Sequence, residues 1–310
     1  MKHDARKTFA AQLEQEAKTH PNLMVLTTDS RGSTAMTGFF QNMPERFVEM
    51  GIAEQDAVGV AAGLSLTGKA PFVCGPACFL MMRSQEQVKV DVAYSGANVK
   101  IIGVSSGVSY GVLGATHHAL GDFAAARAMP GLMILAPSDG WQAARMAAFL
   151  ADYRGPAYLR TGRGDTQDIY GPDDDCFIPG KINAFGQGDV VIAATGEIVR
   201  PALDARKLLA EKGVDACVLD VHTLRPLDTQ TLVRVCKGAK LVVTAEEHFL
   251  AGGLGDAVSL ALEQEGLALP RLRLGFPDQY APCLAPAALK AHYGLDAAGI
   301  AARVLERIGG

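Results

Sequence analysis

Short apolar runs rich in β-branched residues alternate with longer stretches of helical periodicity along this 310-residue chain. Leu23–Thr27, Phe72–Cys74, Lys100–Val104, Met133–Ala136 and Ala157–Arg160 read as strands. Between them, Ala53–Leu66, Ser84–Ala93 and Gly140–Leu150 read as helices, and Phe9, Leu13 and Ala17 recur at the spacing of a leading helix. Strands alternating with helices predict an α/β fold, a mainly parallel sheet flanked by helices. The rhythm breaks across 162–181, where Gly162-Arg-Gly-Asp165, Gly171-Pro-Asp-Asp-Asp175 and Pro179-Gly180 cannot continue a packed element. It then restarts with strands at Val190–Ala194, Ala216–Val221 and Leu241–Thr244 and a helix near Pro201–Lys212. The pattern therefore predicts two domains of the same class, over residues 1–170 and 183–310, joined by a linker over 171–182.

Composition narrows the class. Hydrophobic residues at 49% against 20% charged suit two globular cores rather than a disordered chain. A net charge of −4 gives no footprint for nucleic acid or an acidic membrane. No apolar run approaches the roughly 20 residues of a membrane span, and Met1 to His20 lacks the apolar stretch of a signal peptide. The cysteines at 74, 78, 176, 217, 236 and 283 are scattered; only Cys74 and Cys78 are close, with no partners for a zinc set. Reduced thiols in a cytoplasmic protein are the expectation.

The most informative segment is Arg46-Phe-Val-Glu-Met-Gly-Ile52-Ala-Glu54, leading into a helix with Gly59, Ala62 and Gly63, small residues that allow close packing. Taken alone, Glu54 is a first-turn glutamate favoured by the helix dipole. Further on come Phe72-Val-Cys-Gly-Pro-Ala-Cys-Phe79, Ser109-Tyr-Gly-Val-Leu113-Gly-Ala-Thr-His117-His118 and Tyr158-Leu-Arg160-Thr-Gly-Arg163. In this order the segments resemble the transketolase family and its relatives, deoxyxylulose-phosphate synthase and the beta subunits of 2-oxo acid dehydrogenases. The resemblance covers nearly the whole chain, but only the pyrimidine-binding and C-terminal portions of the family.

The resemblance implies that Glu54 binds the aminopyrimidine of thiamine diphosphate, with Ile52 beside the cofactor and Phe79 against the flat heterocycle. A buried carboxyl suits this role, because burial raises its pKa and lets it share a proton with the ring nitrogen. That shifts the ring toward the form whose exocyclic nitrogen takes the thiazolium proton. His117 falls where the family places a histidine facing the reacting carbonyl, and imidazole moves protons near neutral pH. His118, where a glutamine is usual, is expected at substrate or partner. Arg160 matches the family's phosphate-binding arginine. Asp29-Ser30-Arg31-Gly32-Ser33 resembles the loop that puts an aspartate near the thiazolium, with Arg31 and Ser33 toward the substrate anion; a plain polar turn is the competing reading. Asp220-Val-His222 and Glu246-Glu-His248 resemble the family's C-terminal domain, with both histidines structural.

Departures set the limits. Val112 and Leu113 replace an acidic pair that reads a sugar hydroxyl, and leucine makes no such hydrogen bond. Ser105 stands where a histidine contacts the sugar phosphate. Ordinary pentose phosphates are therefore in doubt as substrates, while the cofactor chemistry is not. Full-length members of the family it resembles carry a Gly-Asp-Gly in their diphosphate-and-metal motif; none occurs in this chain, so the resemblance implies no metal site here. The Mg2+ and diphosphate ligands are expected from an N-terminal-type partner subunit, in a heterotetramer of two plus two. The leading expectation is a transketolase subunit moving a two-carbon ketol unit from an anionic ketose to an aldehyde. The alternatives are a 2-oxo acid dehydrogenase beta subunit, a deoxyxylulose-phosphate-synthase-like carboligase, and a non-catalytic regulatory relative.

Overall fold

The computed structural model describes residues 1–309. Its larger sheet has seven strands in the order Thr223–Arg225, Met133–Leu135, Ala157–Arg160, Lys100–Val104, Ala70–Pro76, Leu23–Thr27 and Phe47–Glu49. All neighbours are parallel except the edge pair of Thr223–Arg225 with Met133–Leu135. The central strands Ala70–Pro76 and Lys100–Val104 are buried along their whole length, as a parallel sheet covered on both faces requires.

One face is covered by Ala5–Glu16 and Gly140–Asp152, which pack together. Asp4 starts the first helix by accepting from the Arg6 and Lys7 N–H groups, and Asp139 starts the second by accepting from Gln142. Gly140 permits their close approach: a Cβ there would lie 2.6 Å from the Cβ of His3. The helix Glu54–Leu66 covers the other face, burying Ala57, Val58 and Ala61.

The second sheet runs Arg271–Phe276, Leu241–Phe249, Val190–Ala194, Ala216–Asp220 and Asn183–Phe185; only the last strand is antiparallel. The two-domain α/β expectation matches this architecture, with two differences. Thr223–Arg225, from the second half of the chain, joins the first sheet. The stretch expected as a linker is packed, with Cys176 and Phe177 buried and the Cys176 carbonyl accepting from Gln142 Nε2 at 2.9 Å. The helix expected over Ser84–Ala93 is a short α-turn, Gln85–Gln87, continued by π-helical Val88–Tyr94. Among the described residues no helix is long and apolar enough to cross a membrane.

Candidate functional site

The C-terminal ends of the parallel strands share one edge of the larger sheet, where open α/β sheets hold ligands. The segments leaving those ends carry the residues singled out above. Asp29–Ser33 follows Leu23–Thr27, Glu54 follows Phe47–Glu49, Phe79 follows Ala70–Pro76, the 105–118 loop follows Lys100–Val104, and Arg160 ends its own strand.

Glu54 is the first residue of its helix and only 2% exposed. Ala53, at the N-cap, makes no side-chain cap, so the helix begins with free N–H groups beside an acidic first turn of Glu54 and Asp56. Arg83 Nη1 donates to Glu54 Oε2 at 2.6 Å; Oε1 accepts no hydrogen bond among the described residues. Phe79 and Arg83 lie four residues apart on the helix Ala77–Arg83 and so share a face. The guanidinium carbon of Arg83 sits 5.0 Å from the Phe79 ring centroid. His117 meets the same ring edge-on, at 5.2 Å between centroids. The structure therefore brings Glu54, Phe79 and His117 into one continuous cluster, with Arg83 as the link the sequence reading missed.

His117 is half-buried, and its Nδ1 lies 2.9 Å from Thr116 Oγ1, which leaves Nε2 for a ligand. Its backbone N–H bonds the Gly114 carbonyl at 2.9 Å, and Gly114 has φ +75, a turn that glycine accommodates. Tyr110 packs edge-on against the His117 ring at 5.5 Å, and Arg163 lies 5.4 Å over the Tyr110 ring. Arg163 is exposed, so a second cation stands at the opening. Ile52 and Leu113 are 74% and 51% exposed, apolar surfaces facing outward beside this cluster of polar groups.

Three of the candidate residues are held by contacts within the chain. Arg160 is 6% exposed: Nη1 donates to Asp122 Oδ1 at 2.7 Å and Nη2 to the Glu247 carbonyl at 2.9 Å. Its guanidinium also lies 4.3 Å over the Phe123 ring. It ties Asp122 to the strand Leu241–Phe249 of the second sheet; Arg163, three residues on, is exposed. Ser105 is fully buried at φ +56, and its hydroxyl has no hydrogen-bond partner among the described residues. His118 donates its Nε2–H to the Gly111 carbonyl at 2.9 Å and lines a cavity with Cys78, Met82 and Thr116, its Nδ1 without a partner among the described residues.

The Asp29 loop lies farther along the edge. Asp29 is exposed at φ +51, and its N–H donates to Glu49 Oε1 at 2.7 Å. Burial pushes the Glu49 carboxyl up, but bonds from the Asp29 N–H, the Thr27 hydroxyl and the Gly51 N–H outweigh it and hold it below the usual range. Glu49 thereby ties the Asp29 loop to the turn that presents Glu54. Arg31 lies 4.3 Å over the Phe40 ring, and the Ser33 carbonyl accepts from Arg6 Nη1 at 2.6 Å. Cys78 is no nucleophile, since burial pushes its thiol up to about 12. His222 and His248 are both fully buried, as expected of structural residues.

Residues 1–168 match the family described as transketolase, pyrimidine binding domain, and residues 181–300 the family described as transketolase, C-terminal domain. Over 302 residues the chain is 45% identical to an apulose-4-phosphate transketolase subunit of Phocaeicola vulgatus, covering 97% of this chain and 96% of that one. It is 34% identical to a 6-deoxy-6-sulfo-D-fructose transketolase subunit of Clostridium sp., covering 95% of this chain and 91% of the relative. A solved structure titled split gene transketolase, inactive beta4 tetramer, superimposes with a TM-score of 0.90 at 36% identity, covering 99% of this chain and 98% of that one.

Proposed function

The chain belongs to the transketolase family, and from that premise we propose that it is the pyrimidine-binding subunit of a split, thiamine-diphosphate-dependent transketolase. The observation that carries this is the cluster at the sheet edge: a buried carboxyl, Glu54, with Oε1 unengaged, beside the ring of Phe79 and the imidazole of His117. A 2%-exposed carboxyl next to an aromatic face fits a flat, nitrogen-bearing ring. Thiamine diphosphate, when bound, supplies the nucleophilic carbon for breaking and making the carbon–carbon bond.

The rest falls to side chains. Glu54 holds the pyrimidine ring nitrogen through its carboxyl and exchanges a proton there. Phe79 gives the ring an apolar face and keeps water away. His117, steadied by Thr116 and Tyr110, donates or accepts a proton at Nε2. Arg163 takes the substrate's anionic group, with Arg31 and Ser33 as further candidates along the edge. Asp29 and Ile52 border the cofactor.

Val112 and Leu113, 68% and 51% exposed, offer the donor sugar an apolar surface where a hydroxyl would find no partner. This supports a donor outside the ordinary pentose phosphates, such as a branched or modified anionic ketose of the kind named for the relatives above.

The Mg2+ and diphosphate ligands belong to an N-terminal-type partner, assembled two plus two. The outer face of the Glu54 helix supports a second chain there. Val60 and Leu66 are exposed, and a Cβ at Gly59 or Gly63 would meet nothing within 4 Å, so these small residues await a neighbour from outside the chain. The domain division at 1–170 and 183–310 and a cytoplasmic setting, in keeping with six unpaired cysteines, complete the reading. The test is co-expression with an N-terminal-type subunit, then assays of ketol transfer from apulose 4-phosphate and, separately, of 2-oxo acid oxidation with a dye acceptor. Aldehyde-dependent ketol transfer is expected; dye reduction by a 2-oxo acid without ketol transfer would overturn the proposal.

A further inference from the structure

Arg83 combines features that an ordinary surface arginine does not. Its side chain is 44% exposed, yet it pairs at 2.6 Å with a carboxylate that is 2% exposed. Its guanidinium also lies over the ring of Phe79, 5.0 Å from the centroid. A flat, delocalised, hydrogen-bond-donating group thus covers Phe79 and engages Glu54 at once. Those are the two contacts that the function proposed above asks of the aminopyrimidine.

We propose that Arg83 is a displaceable occupant of the pyrimidine pocket, holding Glu54 and Phe79 in the cofactor's absence and swinging into solvent as the ring enters. This rests on the transketolase reading of the site and adds to it a built-in competitor. The physical need is clear: a carboxylate buried without a partner carries a desolvation penalty that a guanidinium offsets. The release is equally reasonable. Nearly half of the Arg83 side chain already meets water, so its ion pair is partly screened and its head regains hydration when it leaves. Arg83 is the last residue of its helix, and its side chain makes no hydrogen bond among the described residues except the one to Glu54, so its outward movement breaks no other.

The consequence is an apparent affinity reduced by the fraction of molecules in which the pocket is open. With the self-ligand removed, that reduction disappears. The experiment uses the reconstituted complex of both subunits, stripped of cofactor and resupplied with Mg2+, titrated with thiamine diphosphate by calorimetry. Arg83→Met is expected to bind about tenfold more tightly than the wild type, and Arg83→Lys, which keeps the charge but not the planar stack, to fall between them. Methylguanidinium should then compete with thiamine diphosphate in Arg83→Met and leave the wild type unaffected, a response no merely structural arginine would produce. Unchanged or weaker binding by Arg83→Met, or equal effects of methylguanidinium on both proteins, would overturn the proposal. A wild-type complex that binds no thiamine diphosphate would instead overturn the functional reading beneath it.

Discussion

Replacing Arg160 and Arg163 separately divides the architecture from the chemistry. Arg160→Met removes one side of an ion pair in which Arg160 is 6% and Asp122 fully buried. The Asp122 carboxylate keeps the Tyr158 hydroxyl at 2.6 Å but loses its counter-charge, and the Glu247 carbonyl loses the donor at 2.9 Å. Breaking such a pair from one side costs about 3–5 kcal/mol. For a chain of this size that lowers Tm by roughly 5–8 °C. Arg160→Met combined with Asp122→Asn should recover part of the loss, since the amide still accepts from Tyr158 without a buried charge. Arg163→Met, by contrast, alters an exposed side chain and should leave Tm within about 1 °C. Its effect is expected on KM. Losing a charged hydrogen bond of about 1.5–3 kcal/mol raises KM for a phosphorylated donor roughly 10- to 100-fold, with little change for an unphosphorylated one. The assays are thermal melting and steady-state kinetics on the reconstituted pair. If Arg160→Met melts like the wild type with a raised KM while Arg163→Met is silent in both, the assignment of the two arginines is reversed.

Three further outcomes are expected. Glu54→Ala removes the carboxyl at the pocket's centre and should abolish turnover, while the circular dichroism spectrum and partner association stay unchanged, because the lost ion pair is half in solvent; near-normal kcat would sink the assignment. Leu113→Asp places an acceptor at an exposed position of the donor loop and should shift preference toward ordinary hydroxylated ketose phosphates, read as the ratio of kcat/KM for paired donors; an unchanged ratio refutes that role. Burial pushes His222 down to about 4, with Asp228 opposing. Above pH 6.5 it is neutral folded or unfolded and contributes nothing to pH dependence. As pH falls from 6.5 toward 4 only the unfolded chain takes up the proton, and stability is lost, on the order of 3 kcal/mol. His222→Gln should flatten the fall in urea-unfolding free energy across that window; an unaltered slope would show that His222 is not its source.

Much of the scaffold was legible because strands buried on both faces leave a direct trace: mostly apolar runs such as Leu23–Thr27, Lys100–Val104 and Val190–Ala194, whose observed bounds equal the expected ones. Thr223–Arg225 was not legible, since a three-residue edge strand crossing to the other sheet takes its partner from a residue nearly ninety positions away, and no local pattern encodes that. The helix Ala77–Arg83 was hidden by composition: it opens after Pro76 and is apolar from Ala77 to Met82, with no polar stripe to mark its period.

The site divides along the same line. Glu54 and His117 stand on short motifs that are local in sequence, and the structure brings both to the ring of Phe79. Which arginine meets the substrate is not a local question. Arg160 and Arg163 are three residues apart, both cationic, both at the end of one strand. What separates them is that Asp122, thirty-eight positions earlier, meets the first and leaves the second exposed. The same holds for Glu54 itself. Its motif announces a carboxyl for the cofactor, but the cation resting on it comes from another helix, and only the Phe79–Arg83 spacing of four hinted that ring and guanidinium would share a face. Motifs tell which atoms can do chemistry; the buried partners that commit or free those atoms are set by packing, and here packing reassigns one arginine to the frame and places another in the pocket.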